Sequence, residues 1–492
     1  MEYLLTSNEM KKLDSDTIEK IGIPSAVLME KAALGVIAEM KKNCGDFESV
    51  LVVCGSGNNG GDGIAIGRIL ALQGKTVRIV FVGEEEKASV ETKRQLQIAR
   101  KYNFKIYNTF GNSEYNVIID AVFGIGLTRE ITGVYRDAIE NINKADGYKV
   151  AVDIPSGISA DTGKAMGCAV KADLTVAIAF KKIGHVLYPG AGYCGETAVC
   201  DIGIYPPLNS DFAFSYDKTD SCRLPARTPY SNKGTYGKAL IIAGGINMAG
   251  AAYLAAISAY KTGCGLVRLL IPEENREILQ TLIPEAILTT YDSKNLDLVE
   301  IEKAVSWANV IDIGPGLGTG EPSRKLMETV LKRKKCPLII DADGINLLAL
   351  DSKLWEENLK DIVITPHLKE MSVICKSEIE EIKEDLIGTA VSFAKKHKLV
   401  CVLKDARTVV ADYEKKVYIN QNGNNGMAKA GSGDILSGII AGLLAQGMAP
   451  FDGATLGVYI HAAAGDEAAK RLGTYSMLAR DIAEMISNVT SE

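Results

Sequence analysis

The chain has 492 residues, too many for one ordinary hydrophobic core, so two domains, or three at most, are expected. Hydrophobic residues at 47% and charged residues at 24% describe a folded globular protein and exclude a disordered or fibrous one. A net charge of −6, with no Lys/Arg stripe interleaved with aromatics, excludes nucleic acid as an expected partner.

Ten cysteines (Cys44, Cys54, Cys168, Cys194, Cys200, Cys222, Cys264, Cys336, Cys375 and Cys401) are scattered singly, without a C-x-x-C pair. That usage fits reduced thiols in a cytoplasmic protein better than a disulfide frame or a zinc knuckle. The opening MEYLLTSNEMKKLDSDTIEK lacks the apolar core of a secretory signal. No apolar run reaches the roughly 18 residues of a membrane span, so no membrane partner is expected.

Short apolar runs alternate with amphipathic stretches, the pattern of βαβ units in mainly parallel, doubly wound sheets. In the first half, strands are expected at 49–54, 77–82, 116–120, 149–153 and 174–180. The segments GSGNNGGDG, VGEEE, DAVFGIGL, DIPSGI and KKIGH lie at or just beyond their ends, and loops at the carboxyl ends of parallel strands converge on one crevice. Residues 204–234, rich in proline and serine and without periodicity, read as the linker. The expected domains are therefore 1–212 and 222–492. The second half restarts with the strand KALIIAGG and an Ala-rich helix from Ala249. LVRLLIP, NVIDIGPGLG, PLIIDADGINLLA, DIVITPHLKEM and LVCVLKD follow, again apolar runs ending in glycines or acids.

Gly55-Ser56-Gly57-Asn58-Asn59-Gly60 satisfies G-x-G-x-x-G between a strand and a helix. The plain alternative is glycines that serve only a tight turn. Asn58, Asn59 and Asp62 add more polar capacity than a turn needs, and amides at the helix start can hold phosphate. Gly74 before Lys75 and Thr76 reads as a helix C-cap. Asp120 and Asp153 end apolar strands, where a lone carboxylate is costly to bury, so both need partners. Each could simply cap loop amides. Together with Asn59 and Ser156 at one sheet edge they suit a hard monovalent cation and a carboxylate free for proton transfer.

LMEKAA, GSGNNGGDG, DAVFGIGL, VDIPSGI and KKIGH, in this order, resemble the NAD(P)H-hydrate epimerases over residues 1–212. The resemblance implies that Asn58, Asn59, Gly60, Gly61 and Asp62 contact the hydrated nicotinamide nucleotide. It adds Gly124, Ile125, Gly126, Leu127, Thr128, Arg129 and Glu130, together with Tyr135 and Asp153. It further implies that Asn59, Asp120 and Ser156 hold K+, and that Asp153 is the catalytic acid/base, assisted by Lys182. Ala33 stands where these proteins usually carry glycine, a departure that touches helix packing.

Near the C-terminus, NQNGNNGMAKAGSGDILSGIIAGLLAQG places a glycine-rich loop before a strongly apolar helix. Amides of Gly431, Ser432 and Gly433 could stabilise charge on a transferring phosphoryl group. Asp434 could then accept a proton from a hydroxyl nucleophile. The plain alternative makes Asp434 a first-turn acid favoured by the helix dipole. Lys404 to Thr408 follow the strand LVCVL, and Gly314 to Gly318 permit close backbone approach to a ligand. His367 is taken as a ligand contact because of its TPH motif, whereas His185, His397 and His461 are read as structural or left open.

KGTYGKALIIAGG, IGPGLG, IDADGIN, TPH and AGSGD resemble the ribokinase-like ADP- or ATP-dependent NAD(P)H-hydrate dehydratases over residues 222–492. The two halves together resemble the bifunctional nicotinamide-nucleotide repair enzymes. The implied fold is α/β throughout, an N-terminal Rossmann-like three-layer α/β/α domain and a C-terminal ribokinase-like α/β domain. Ala251, Gly318, His367 and Asp434 would meet the substrate, with Asp434 catalytic. Lys404, Asp405, Ala406, Arg407 and Thr408 would meet the nucleotide, as would Asn424, Asn425, Gly426, Met427, Ala428, Lys429, Ala430, Gly431, Ser432 and Gly433. ADP is favoured over ATP, with Mg2+ and K+ as ions, the hydrates of NADH and NADPH as substrates, and a homo-oligomer as the assembly. TPHLKE in place of the more usual TPHPGE puts any metal role of Glu370 in doubt, and Ala430 stands where glycine is frequent. The competing reading is a ribokinase-like small-molecule kinase behind a non-catalytic nucleotide-binding module.

Overall fold

The run of Val, Leu and Cys at 49–54 is buried almost throughout, as a parallel strand covered on both faces must be. This strand, β2 (Ser49–Cys54), lies third in a seven-stranded sheet of a computed structural model that describes residues 1–492 except 112–113, 208–209, 217–223, 357–359 and 491–492. Cys222, the expected domain start at 222 and part of the expected linker therefore lie outside the described residues. The chain divides into two compact units, Tyr3–Phe212 and Ala213–Glu492, with Met1–Glu2 belonging to the second.

In the first unit, β3 (Thr76–Phe81), β4 (Ile106–Tyr107), β5 (Val117–Ala121), β6 (Tyr148–Val152), β7 (Leu174–Ile178) and β9 (Glu196–Cys200) join β2 in the order β4-β3-β2-β5-β6-β7-β9. Every pairing is parallel. The order reverses between β2 and β5, which opens a crevice beyond their carboxyl ends. A short strand pair lies outside this sheet: Leu4 and Leu5 of β1 (Glu2–Leu5) run beside Lys181 and Lys182 of β8 (Lys181–Lys182).

The helices α1 (Ser7–Asp16), α2 (Ser25–Asn43), α3 (Asn58–Leu72), α4 (Val90–Lys101) and α5 (Val134–Lys144) belong to this unit. Ala33, fully buried in α2, is a packing residue. The expected loop GSGNNGGDG turns out shorter. With Gly57 as N-cap, residues from Asn58 through Asp62 already form the first turns of α3. The turn is that tight because a side chain at Gly60 would meet the Gly55 carbonyl oxygen at 1.8 Å. Gly74, at φ +90°, ends α3 as the sequence predicts.

The second unit repeats the wiring. Its strands are β10 (Ala213–Ser215), β11 (Lys238–Ile242), β12 (Leu266–Pro272), β13 (Ile287–Tyr291), β14 (Val310–Ile313), β15 (Leu338–Ile340), β16 (Ile362–Ile364), β17 (Val400–Leu403), β18 (Val409–Ala411) and β19 (Val417–Ile419). They follow the order β13-β12-β11-β14-β15-β16-β17-β18-β19, with β10 beside β19. The switch point here lies between β11 and β14. The presence of β10 corrects the reading of 204–234 as linker throughout. Phe214 packs on Tyr418 and Phe451 at ring distances of 5.5 and 6.4 Å, and that aromatic burial makes a three-residue strand too short for periodicity to reveal. Among the described residues no helix is long and apolar enough to cross a membrane.

The helix Ser432–Ala445 lies against α6 (Ala249–Lys261), whose Ala252, Ala255, Ala256 and Ala259 are fully buried. The approach is close enough that a Cβ at Gly438 would stand 2.2 Å from the Ala255 carbonyl oxygen. Helix propensity favours alanine over glycine by about 1 kcal/mol. Overpacking against backbone costs about 1–3 kcal/mol and should win. Gly438→Ala is therefore expected to lower the thermal midpoint of the second unit by several degrees in calorimetry; an unchanged or raised midpoint would refute the close-packing account.

Candidate active sites

In the first unit, Asp120 is the next-to-last residue of β5 and is almost fully buried. Ser156 donates to it from its backbone N–H at 2.7 Å and from its hydroxyl at 2.6 Å, and the Val122 N–H adds a bond at 3.2 Å. Burial raises its carboxyl to about 6 against these three donors. Asn59 is buried nearby, its side chain against Gly124, with its amide nitrogen unpartnered. Asp120, Ser156 and Asn59 thus form one buried oxygen-rich corner, in which, among the described residues, no cationic side chain pairs with the Asp120 carboxyl.

Asp153 follows β6 with φ +69°, a left-handed conformation that costs most residues about 1–3 kcal/mol and clusters at functional sites. Its carboxylate receives the ammonium of Lys182, itself fully buried, and the Ile178 N–H at 3.0 Å. His185 secures the turn from behind. Its Nδ1 accepts from the Lys182 N–H at 2.8 Å, so the neutral ring donates from Nε2 to the Asp153 carbonyl oxygen at 2.7 Å. Burial, with Lys182 beside it, pushes the His185 ring down to about 4.

Asp153 and Lys182 line a cavity of about 440 Å³, together with Asn58, Asn59, Asp62, Gly124, Ile125, Gly126 and Leu127. Met10, Lys11 and Asp14 of α1 complete its wall. Arg129 and Tyr135 line a neighbouring groove of about 1080 Å³, and Ser56 borders both spaces. Gly60 and Gly61 are buried within α3, while Thr128 and Glu130 are exposed.

In the second unit the helix Ser432–Ala445 begins at Gly431, with Asp434 in its first turn as the sequence predicts. A Cβ at Gly433 would lie 3.4 Å from Lys404 Nζ and 3.8 Å from an Asp341 oxygen, so the anion-binding helix start abuts that ion pair. Lys404 reaches Asp341 at 2.9 Å, and the Thr365 hydroxyl donates to the same oxygen at 2.5 Å. Burial opposes the Lys404 charge, but Asp341, Glu370 and Asp434 outweigh it and raise the ammonium above its ordinary value. Burial first, then Asp341, raises Asp434 to about 6. That places a proton acceptor near neutrality beside an anion cradle.

The remaining expected residues divide. The glycine loops after β11 and β14 touch, Gly245 N–H donating to Gly316 O at 2.6 Å, and Ala251 is buried against Gly316. The Gly318 N–H donates to Asp343 at 2.7 Å. His367 caps the helix Leu368–Cys375 in a reciprocal arrangement with Glu370, which occupies both Glu370 oxygens. Asn424 closes the 425–427 turn and holds Asp466, Lys429 ties to the Tyr475 and Met477 carbonyls, and Arg407 donates to Gln421 O. Met427 packs on Gly465, Gly426 is buried, and Asp405, Ala406, Asn425, Ala428 and Ala430 face outward.

Sequence reasoning did not assign Asp341 and Thr365, although each ends an apolar run as Asp120 and Asp153 do. It also left His185 and His461 without roles. His461 is half-buried, is pushed down to about 4 chiefly by desolvation, and lies 3.1 Å from the Ser432 hydroxyl. His397 packs between Trp355 and Phe393.

Residues 239–488 match the family described as NAD(P)H-hydrate dehydratase, and residues 25–184 match the YjeF-related protein N-terminus. The bifunctional NAD(P)H-hydrate repair enzyme Nnr of Moorella thermoacetica is 36% identical, over 99% of this chain and 96% of its own. The enzyme of the same name from Thermofilum pendens is also 36% identical, over 95% of this chain and 92% of its own. A crystal structure of ADP/ATP-dependent NAD(P)H-hydrate dehydratase from Bacillus subtilis, co-crystallized with ATP/Mg2+, is 30% identical, covering 54% of this chain and 93% of its own with a TM-score of 0.49. With both family matches in sequence and identity running the full length, the chain belongs to the bifunctional NAD(P)H-hydrate repair enzymes.

Proposed function

We propose that the first unit interconverts the R and S hydrates of NADH and NADPH, and that the second dehydrates the S form with ADP to give AMP, phosphate and the restored dinucleotide. The observation that carries this reading is Asp434, a carboxyl raised to about 6, set in a helix start that packs on the Lys404–Asp341 pair. Hydration leaves a hydroxyl on carbon 6 of the nicotinamide ring, and hydroxide is a poor leaving group. Phosphorylation converts it into phosphate, which the ring nitrogen can expel.

In this scheme Asp434 takes the hydroxyl proton, and the amides of Gly431, Ser432 and Gly433 with Lys404 offset charge on the transferring group. Lys404 to Thr408 and Asn424 to Gly433 hold the nucleotide, and Ala251, Gly318 and His367 border the substrate. When bound, ADP supplies the phosphoryl group and its Mg2+ offsets phosphate charge. In the first unit the buried Asp120 carboxylate with Asn59 and Ser156 suits K+, which would supply the missing counter-charge. Asp153 acts there as acid/base, with Lys182 as its ion-pair partner. A cytosolic setting suits the nine free thiols among the described residues.

Asp434→Asn should lower dehydration of the S hydrate at least about 100-fold in an NADH-absorbance assay, with R-to-S exchange retained; comparable dehydration would remove the base assignment. Since the ionised form is the base, the dehydration rate at saturating substrate should hold above pH 6 and fall about tenfold per unit below it. A flat profile down to pH 5 would contradict that. For Asp153→Asn the expectation reverses: with ADP present the S epimer disappears while the R epimer persists, and normal consumption of both would refute the role.

A further inference from the structure

The epimerase cavity holds a second carboxyl in the opposite electrostatic situation. Asp62 lines it from α3 and is only 8% exposed, yet among the described residues no cation or hydrogen-bond donor pairs with it. As the fifth residue of α3 it lies beyond the first turn, so it neither caps the helix nor answers its dipole. A buried, unpaired carboxylate is costly, and nothing structural compensates for it here.

The groups that face Asp62 favour its protonated form. Burial raises its carboxyl well above the ordinary value, and the negative charges of Asp153 and of Asp14 on α1 add to that rise, opposed by Lys182. Lys11 of α1 also lines the cavity. The Cys54 thiol of β2 is itself raised by burial and stays neutral. The loop wall from Val122 to Leu127 carries no charge. One cavity therefore contains a carboxyl whose surroundings favour its protonated form and a carboxylate paired with a buried lysine, the separation of roles that acid/base catalysis requires.

We propose that Asp62 is the proton donor of epimerisation, working with the Asp153–Lys182 pair as the acceptor. The assignment rests on the epimerase reading of this cavity and adds a second catalytic group to it. In the forward step the bond from carbon 6 to oxygen breaks, both electrons go to oxygen, and the Asp62 proton completes a water molecule. The ring nitrogen lone pair forms the C=N bond left behind, and the new Asp62 carboxylate balances its positive charge. Water then adds to the opposite face, the C=N electrons return to nitrogen, and Asp153 takes the proton that water releases. A proton passes from Asp153 back to Asp62 through cavity water, or the next turnover runs in reverse with the roles exchanged.

The test follows R-to-S exchange without ADP, by chromatography of the two hydrates, in the wild type, Asp62→Asn and Asp62→Glu. Asp62→Asn is expected to lower kcat about 100-fold or more while KM stays within about threefold. Asp62→Glu, which keeps a proton to give, is expected to retain at least about a tenth of the rate. The wild-type rate should fall at high pH as the donor ionises, and Asp62→Asn should lose that limb. Exchange by Asp62→Asn at the wild-type rate, or a loss confined to KM, overturns the proposal alone. No exchange in the wild type overturns it together with the epimerase reading.

Discussion

A carboxylate buried at the end of a parallel strand needs partners, and in each unit one such carboxylate is answered by a lysine from a later strand end. Asp153 follows β6 and meets Lys182; Asp341 follows β15 and meets Lys404. In each unit the aspartate-bearing strand is the fifth of the sheet's own succession, one place beyond the strand at the switch point. Everything else in either site is arranged around such a pair: His185 behind the first, Thr365 and the Ser432–Ala445 helix start around the second.

Such pairs are poor stabilisers. Desolvating both ions consumes most of the Coulomb gain, and an apolar pair of similar volume often serves stability as well or better. Their use here is to place paired charges at the two sites. Lys182 pairs with Asp153 in the cavity that Asp62 also lines, and Asp341 raises the Lys404 ammonium at the mouth of the anion cradle. The left-handed backbone at Asp153 is a further cost that the surrounding hydrogen bonds sustain.

Much of this was legible in the sequence because a parallel strand that ends in glycine or acid announces both its length and its reactive end. The strand ends at Asp120 and Asp153 and the Asp434 helix were readable in that way. What escaped depends on which strands become neighbours. Asp341 and Thr365 sit in runs as clear as the others, but their meeting with Lys404 follows from the order β15-β16-β17, which no local pattern encodes. The early start of α3 escaped because Asn and Gly read as loop, whereas the close contact of Gly60 with Gly55 winds them into helix. The strand Ala213–Ser215 was hidden by its proline- and serine-rich flanks.

Two imidazoles with lowered values, His185 and His461, stand beside the two sites. In the folded chain His185 and His461 stay neutral down to about pH 4, so the aim of Asp153 and the seat of Ser432 are unaltered across mild acidity. Their lowered values mean that the stability they carry is complete above the ordinary histidine value of 6.5 and drains away between there and 4, as the unfolded chain gains protons first. Between those limits acid weakens the fold through these two rings before either ring gains a charge in the folded chain.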